Sequence, residues 1–336
     1  MTRSVRSPRV RLFALVTVLS LVALVLAGCG TPDPALIGPG GIGAPSNAKI
    51  LFAQNGDIYE WNGSSVRQLT KLGDASYPRW SSNASQFVFV RTGDAYSDLW
   101  IANADGSGLK QLTHDQPVGQ IGTLDYVNNA VWALDPVWST ANNDIAFVSD
   151  RGTAKNYLWI MNGPGATPAR VSGATGNGDN VEHPSFSPDG AQIVFDQRVS
   201  STSNALIRWT QIDKVDLSTG QLTPLVTSKA GSYDPVWSPD GKWIAYIGRT
   251  GTANDLWVVP SQGGQAVRLT TQGNVVSPAW APGGGGIAFL QTDGLTFQAM
   301  YATFSVSASG SPQLGNPQVL FNAPNIDAVS GLSWAP

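Results

Sequence analysis

The chain has 336 residues, of which 42% are hydrophobic and only 13% charged, a balance that excludes intrinsic disorder and provides for a sizeable core. Its formal net charge of −3 excludes the basic footprint of a nucleic-acid-binding protein. Glycine (37), proline (22) and tryptophan (12) are abundant, as in chains built of many short strands and tight turns.

Residues 1–28 read as a targeting signal. Arg3, Arg6, Arg9 and Arg11 form a positive amino-terminal region, and an apolar run follows from Leu12 to Ala27, broken only by Thr17 and Ser20. The run is short for a spanning helix and ends in small residues. The sequence Leu26-Ala27-Gly28-Cys29 resembles the bacterial lipobox, and Cys29 is the single cysteine of the chain. The resemblance implies cleavage before Cys29 and acylation of its thiol and amine, which would hold the protein on the extracytoplasmic side of a bacterial membrane, periplasmic or at the cell surface. The alternatives are an ordinary signal peptide with a chance cysteine, or a plain membrane anchor. Each buried CH2 of an acyl chain adds about 0.8 kcal/mol to membrane binding, so two or three chains hold far better than one. Without its four signal arginines the chain keeps 16 basic against 23 acidic residues. Residues 29–47 comprise the lipidated cysteine and a Gly/Pro-rich tether, "GTPDPALIGPGGIGAPSN", with no periodicity. With its one thiol acylated, the chain forms no disulfide.

Residues 48–336 read as one repeat array. "KILFAQNGDIYEWNGSSVRQLT" (Lys49 to Thr70) supplies three strands. Units then follow at "YPRWSSNASQFVFVR" (Trp80), "DPVWSTANNDIAFVSDR" (Trp138), "HPSFSPDGAQIVFDQR" (Phe186), "DPVWSPDGKWIAYIGR" (Trp237) and "SPAWAPGGGGIAFLQT" (Trp280). A last fragment, "SGLSWAP", ends at Trp334. The anchors are 58, 48, 51, 43 and 54 residues apart, the period of a propeller. Third strands are expected at "DLWIAN", "YLWIMN", "KVDLST", "DLWVVP" and "AMYATF". Fourth strands are expected to end at Thr113, Ser172, Thr227 and Thr270, with "QVLF" (Gln318 to Phe321) in the last unit. Ser-Pro-Asp-Gly is strong turn chemistry between first and second strands. The anchor aromatics are expected to wedge between neighbouring units. The terminal fragment lacks what the amino-terminal strands supply, and the two together make one unit. The expectation is an all-β fold: a six-bladed propeller of four-stranded antiparallel blades, its ring closed by the amino-terminal strands plus the carboxy-terminal strand.

The pattern P-x-W-S-P-D-G-x-x-I-A-Y, followed by D-L-W and R-L-T, resembles the propeller repeat of the TolB family. The resemblance covers about 48–336. It is strongest from Asp234 to Thr270 and good from His183 to Asp196. It is weaker at Trp80 and Trp280, where the turn reads "SNAS" and "PGGG". It implies the propeller fold and a binding role. TolB carries an additional amino-terminal domain, where this chain has the tether instead.

Enzyme signatures are missing: there is no G-x-S-x-G, no P-loop, no H-E-x-x-H and no Cys/His metal pattern. The two histidines, His114 and His183, are too few for the metal-ligating clusters of propeller-type sugar-acid lyases. The expectation is a non-enzymatic protein without cofactor or metal. "NADGSG" (Asn103 to Gly108) faintly resembles a calcium loop and reads as a hairpin. Candidate binding residues precede each repeat's proline, at Tyr77, Asp135, His183, Asp234 and Ser277, with Ser330 in the last copy. Glu182 adds a carboxylate. The loops after the second strands carry Arg91, Arg151, Arg198 and Arg249. One reading is structural: the aspartates cap turns and the arginines pair with neighbouring blades. The other is a polar funnel face that recognises a ligand through bidentate arginine contacts. Two long connections, His114 to Pro136 and Ser172 to Pro184, would decorate that face, with Tyr126 and Trp132 as partner anchors or as packed extension.

Three functions remain open. The first is a monomeric, membrane-anchored binding or scaffold propeller of the bacterial envelope, recognising a protein, peptide or glycan. The second is a glycan-acting enzyme using His183, Glu182 and Asp234, which must then share a ligand. The third is a solute-sensing lipoprotein with a closed pocket.

Overall fold

Each anchor aromatic sits at the end of an innermost strand, and six such strands surround one axis. The computed structural model describes residues 48–174, 179–201, 203 and 206–336. The signal segment, Cys29 and the tether lie outside the described residues. Blade 5 shows the plan. Its strands run Ser232–Trp237, Trp243–Thr250, Ala253–Pro260 and Val267–Arg268, hydrogen-bonded in that order and antiparallel throughout. Five further sheets complete the ring; in chain order blade 1 starts at Ile50, blade 2 at Ala75, blade 3 at Ala133, blade 4 at Asp179 and blade 6 at Val275.

The turn chemistry works as its residues suggest. In blade 5 the Ser238 hydroxyl donates to Asp240 Oδ1 at 2.6 Å and accepts from the Trp243 amide at 2.9 Å, while Gly241 takes φ +71°. Ser187, Asp189 and Gly190 repeat this in blade 4. In blade 2, Asn83 takes the aspartate's part, accepting from the hydroxyl of Ser81 and the amide of Ser85. The "SNAS" copy therefore keeps its turn without the acid.

A second recurrent device joins the third and fourth strands. The hydroxyls of Thr70, Thr113 and Thr270 donate to Asp57, Asp98 and Asp255 and accept from the amides of Ile58, Leu99 and Leu256. This explains the paired D-L-W and L-T signatures: the threonine links a buried carboxylate to a buried backbone donor.

The second strands are continuous apolar runs because both their faces are covered. Phe87 to Val90, Ile145 to Val148 and Ile287 to Leu290 are all fully buried. The core is divided into six clusters, one per blade junction. Trp138 packs on Val88 and Leu99 of the preceding blade, Phe186 on Val148 and Leu158, and Trp237 on Val194 and Ile212. Trp280 donates its indole N–H to the Val236 carbonyl one blade back, at 3.2 Å.

The ring closes by mixing the termini. Ser333–Trp334 is the innermost strand of the blade completed by Ile50–Gln54, Asp57–Trp61 and Val66–Gln68. Ile50 pairs with Trp334, and the Ala335 amide bonds the Lys49 carbonyl at 2.8 Å. Blade 6 departs from the expected plan. Its outermost strand is in two pieces, Pro312–Leu314 and Gln318–Asn322, both paired with Phe297–Val306. The first piece was not apparent from the repeat, because the Gly-Asn-Pro break at 315–317 splits the ladder.

The long 114–136 connection carries the short helix Leu124–Asn128, capped by Thr123. Tyr126 is buried beneath it and Trp132 is half-buried, so Tyr126 belongs to a packed extension. "NADGSG" is the expected hairpin, with Asp105 accepting from Ser107. Of the second long connection, residues 175–178 lie outside the described residues.

Candidate functional site: the central channel

The residue before each repeat's proline adopts an unusual backbone. φ is +52° at Tyr77, +47° at Asp135, +49° at His183, +54° at Asp234 and +55° at Ser277. In the last copy the place falls to Gly331, at +68°, rather than to Ser330. The cause is local. Proline supplies no N–H to the ladder and bars the residue before it from the right-handed helical region. The innermost strand therefore bulges, and the register shifts at this point in blades 2 to 6. A left-handed non-glycine residue costs about 1–2 kcal/mol, and such outliers cluster at ligand sites.

A chain of hydrogen bonds around the axis holds these bulges. The Tyr77 amide donates to Ser330 Oγ at 3.0 Å, the His183 amide to Asp135 Oδ2 at 3.3 Å, and the Asp234 amide to Asp196 Oδ2 at 3.0 Å. The Ser277 amide donates to Asp234 Oδ2 at 3.4 Å. In each case a side chain from one blade satisfies the bulge of the next.

The six innermost strands enclose a cavity of about 490 Å3. One level of its wall is polar, with Arg79, Asp135, His183, Asp234 and Ser277. Three residues beyond Asp135, His183, Asp234 and Ser277, about 10 Å along each strand, and directly after Arg79, comes an apolar collar of Trp80, Trp138, Phe186, Trp237, Trp280 and Trp334. Pro188, Pro239 and Pro282 of the turns line the outermost part.

His183 is the electrostatic centre. Its Nδ1 lies 2.8 Å from Asp196 Oδ2 and its Nε2 3.1 Å from Asp234 Oδ1. Burial opposes the charged imidazolium, but Asp234, Asp196 and Asp135 together outweigh it and hold the group well above 6.5. Burial pushes Asp196 up, against the pull of His183. Arg79 donates Nη1 to the carbonyls of Pro78 and Ser330, at 2.9 and 2.8 Å. Burial lowers the pKa of its guanidinium, opposed by Asp135 and Asp234. Asp135 is 7% exposed, and its Oδ1 is buried without a hydrogen-bond partner among the described residues.

Glu182, exposed beside this centre, brings a carboxylate oxygen within 4.8 Å of ligand atoms of His183 and Asp196. Such a trio could in principle hold a cation. While both imidazole nitrogens donate to aspartates, however, His183 has no lone pair to offer.

The structure thus brings Asp135, His183 and Asp234 together, with Glu182 alongside. Tyr77 occupies the ring, but its side chain packs at the junction of blades 2 and 3. None of the four arginines expected at the funnel lines the cavity. Arg91 is bidentate on Asp74, at 2.9 and 2.8 Å, and lies 4.9 Å over Trp100. Arg151 holds both oxygens of Asp115, at 2.7 and 2.8 Å, and lies 5.6 Å over Trp159. Arg249 counters the burial that raises the Tyr233 phenol, and Arg198 counters the burial that raises Glu182.

Two residues of the channel's charge network, Arg79 in its wall and Asp196 behind His183, do not stand out in the sequence. Arg79 is the one charged residue in the position after the repeat proline, where other copies carry Val137, Ser185, Val236 and Ala279. Asp196 is a charge inside an otherwise apolar second strand. Aligning the repeats column by column exposes both.

A model of the TolB beta propeller domain matches residues 62–283 and 134–322. The chain is 23% identical over 213 residues to a Bacillus subtilis protein described as "Uncharacterized peptidase YuxL", covering 53% of this chain and 30% of that one. It is 26% identical over 192 residues to the "Uncharacterized protein Atu1656" of Agrobacterium fabrum, covering 55% and 58%. The chain therefore spans less than two thirds of the length of these relatives. Among solved structures, TolB from Acinetobacter baumannii superposes with a TM-score of 0.64 at 16% identity, covering 86% of this chain and 67% of that one.

Proposed function

The chain belongs to the TolB beta propeller domain family, and from that premise we propose that it is a binding propeller of the bacterial envelope. In this reading acyl chains on Cys29 hold it to the membrane on the extracytoplasmic side. The central channel receives a segment of an envelope protein, peptide or glycan. One observation carries the reading: the 490 Å3 cavity is polar at one level and walled by six aromatic side chains at the next. A concave site with an apolar wall and a few convergent polar groups is the usual form of a specific binding site.

The proposed role is non-enzymatic. His183, the natural acid–base candidate, has both ring nitrogens engaged with Asp196 and Asp234, so neither is free to accept a ligand's proton. Affinity capture from a detergent extract of the envelope, with the lipidated protein as bait, tests the reading. A partner should be retained by the wild type and lost with Arg79→Gln/Asp135→Asn. A Cys29→Ser variant should move to the soluble fraction. Failure to capture any envelope component, or capture indifferent to the channel variant, would remove the basis for this function.

A further inference from the structure

Inside the channel, charge and hydrogen-bond capacity do not balance. Three carboxylates, Asp135, Asp196 and Asp234, face two cations, His183 and Arg79. Both His183 nitrogens are used on Asp196 and Asp234. Arg79 spends Nη1 on two backbone carbonyls. Asp135 is therefore the acid that makes no ion pair, although its charge is felt at His183 and Arg79. One of its oxygens caps the His183 amide at 3.3 Å, and the other has no partner among the described residues, in a residue only 7% exposed. Arg79 and Asp135 occupy neighbouring blades and line the same cavity. The Asp135 charge is felt at Arg79, yet no ion pair within 4.0 Å joins them. Arg79 Nε and Nη2 make no hydrogen bond among the described residues.

We propose that this gap receives the amino terminus of a polypeptide, with its ammonium on Asp135 Oδ1, its first carbonyl on Arg79 and its first side chain in the aromatic collar. The proposal rests on the channel being the binding site, and it names the ligand group. A buried acceptor and an unused donor in the wall of one cavity fit a ligand that brings one of each. The ammonium converts an unpaired buried carboxylate into a charge-assisted hydrogen bond. The carbonyl matters as well. Arg79 repels a bare amine, so a lysine side chain, which has no carbonyl beside its nitrogen, fits less well than a chain terminus. The collar suits an apolar first residue, and its ring faces are compatible with a nearby cation. A neutral glycan brings no charge to Asp135. Calcium takes six to eight oxygen ligands, and here the other carboxylates are already committed to His183 and to backbone amides.

The test is calorimetric titration of the full-length protein in detergent with phenylalanyl-leucinamide and with its N-acetyl counterpart. The free-amine peptide should bind at least tenfold more tightly. Asp135→Asn keeps a carbonyl oxygen to cap His183, and it should bring the ratio close to one at an unchanged melting temperature. Arg79→Gln should weaken the free-amine peptide without restoring the acetylated one. Equal binding of the two peptides by the wild type would overturn the proposal, as would calcium chloride alone giving a heat that Asp135→Asn abolishes. If neither peptide binds while the envelope partner still requires the channel, the amino-terminus assignment is wrong and the wider reading stands. If that partner ignores the channel too, both are wrong.

Discussion

His183 and Asp234 stand on neighbouring blades, and their side chains meet across the junction at 3.1 Å. With Asp196 on its other nitrogen, His183 ties blade 4 to blade 5 at the axis of the ring. The arrangement exists because the residue before each repeat proline is turned left-handed, which aims the side chains of Asp135, His183, Asp234 and Ser277 at the channel.

The first prediction concerns pH. The aspartates raise the folded-state pKa of His183 above its unfolded value. The ion-pair stability is therefore fully present below about pH 6.5, the unfolded value, and is lost as pH rises from there through the folded pKa. His183→Gln should cost about 3 kcal/mol at pH 6, the order of magnitude for breaking a buried pair, and progressively less in alkaline buffer. Chemical denaturation at several pH values measures this. A penalty that does not vary with pH would contradict it.

Asp213 gives the opposite kind of result. It takes the position held by Trp100, Trp159 and Trp257 in other blades. It is fully buried, Oδ2 has no partner among the described residues, and burial pushes its pKa up to about 6. A carboxyl raised this way favours the fold while protonated, and that contribution is lost as pH rises through about 6. Asp213→Asn should therefore raise stability at pH 7.5 by up to about 3 kcal/mol, taking 1.36 kcal/mol per pKa unit. It should change little at pH 4. Melting curves at the two pH values decide the matter.

Ring closure predicts a global effect from a small deletion. Removing Leu332 to Pro336 takes away the innermost strand of one blade, including Trp334, which packs edge-on to Tyr301 with centroids 5.5 Å apart. The loss of one buried aromatic is worth about 3–5 kcal/mol, and two sheet edges open with it. The truncated protein should lose most of its cooperative unfolding transition. An unchanged melting temperature would refute closure by the termini.

The outer arginines should be nearly silent. Arg91 and Asp74 are both about 30% exposed, where such pairs contribute about 0–1 kcal/mol. Arg91→Gln should leave stability within that range and ligand affinity unchanged, as read by melting and by calorimetry.

How much of this was legible in the sequence follows from what repeats. The aromatic at Trp237 recurs in every blade, Ser238 in four, and an Asp or Asn at the Asp240 position in three, because each blade needs a wedge and a turn. Blade number and closure could therefore be read without coordinates. Single departures from the repeat were harder. Arg79 and Asp196 lie in columns that are otherwise apolar or small, so a reading built on shared features passes over them. The partners of Arg91 and Arg151 are Asp74 and Asp115, which lie outside the repeat motif. Nothing in spacing alone indicated that those arginines are paired rather than presented to a ligand. The first piece of the outermost strand in blade 6, Pro312–Leu314, has no counterpart in other blades and was invisible for the same reason.

The central claim, that ligand binds in the channel and not on the arginine-bearing loops, is tested most directly by one comparison of dissociation constants. The captured envelope partner is titrated against wild type, Arg79→Gln/Asp135→Asn and Arg91→Gln/Arg151→Gln. The channel pair should weaken binding by about two orders of magnitude, the scale of two lost charge-assisted hydrogen bonds, and the loop pair should match wild type. Full affinity in the channel variant with loss in the loop variant would contradict the account.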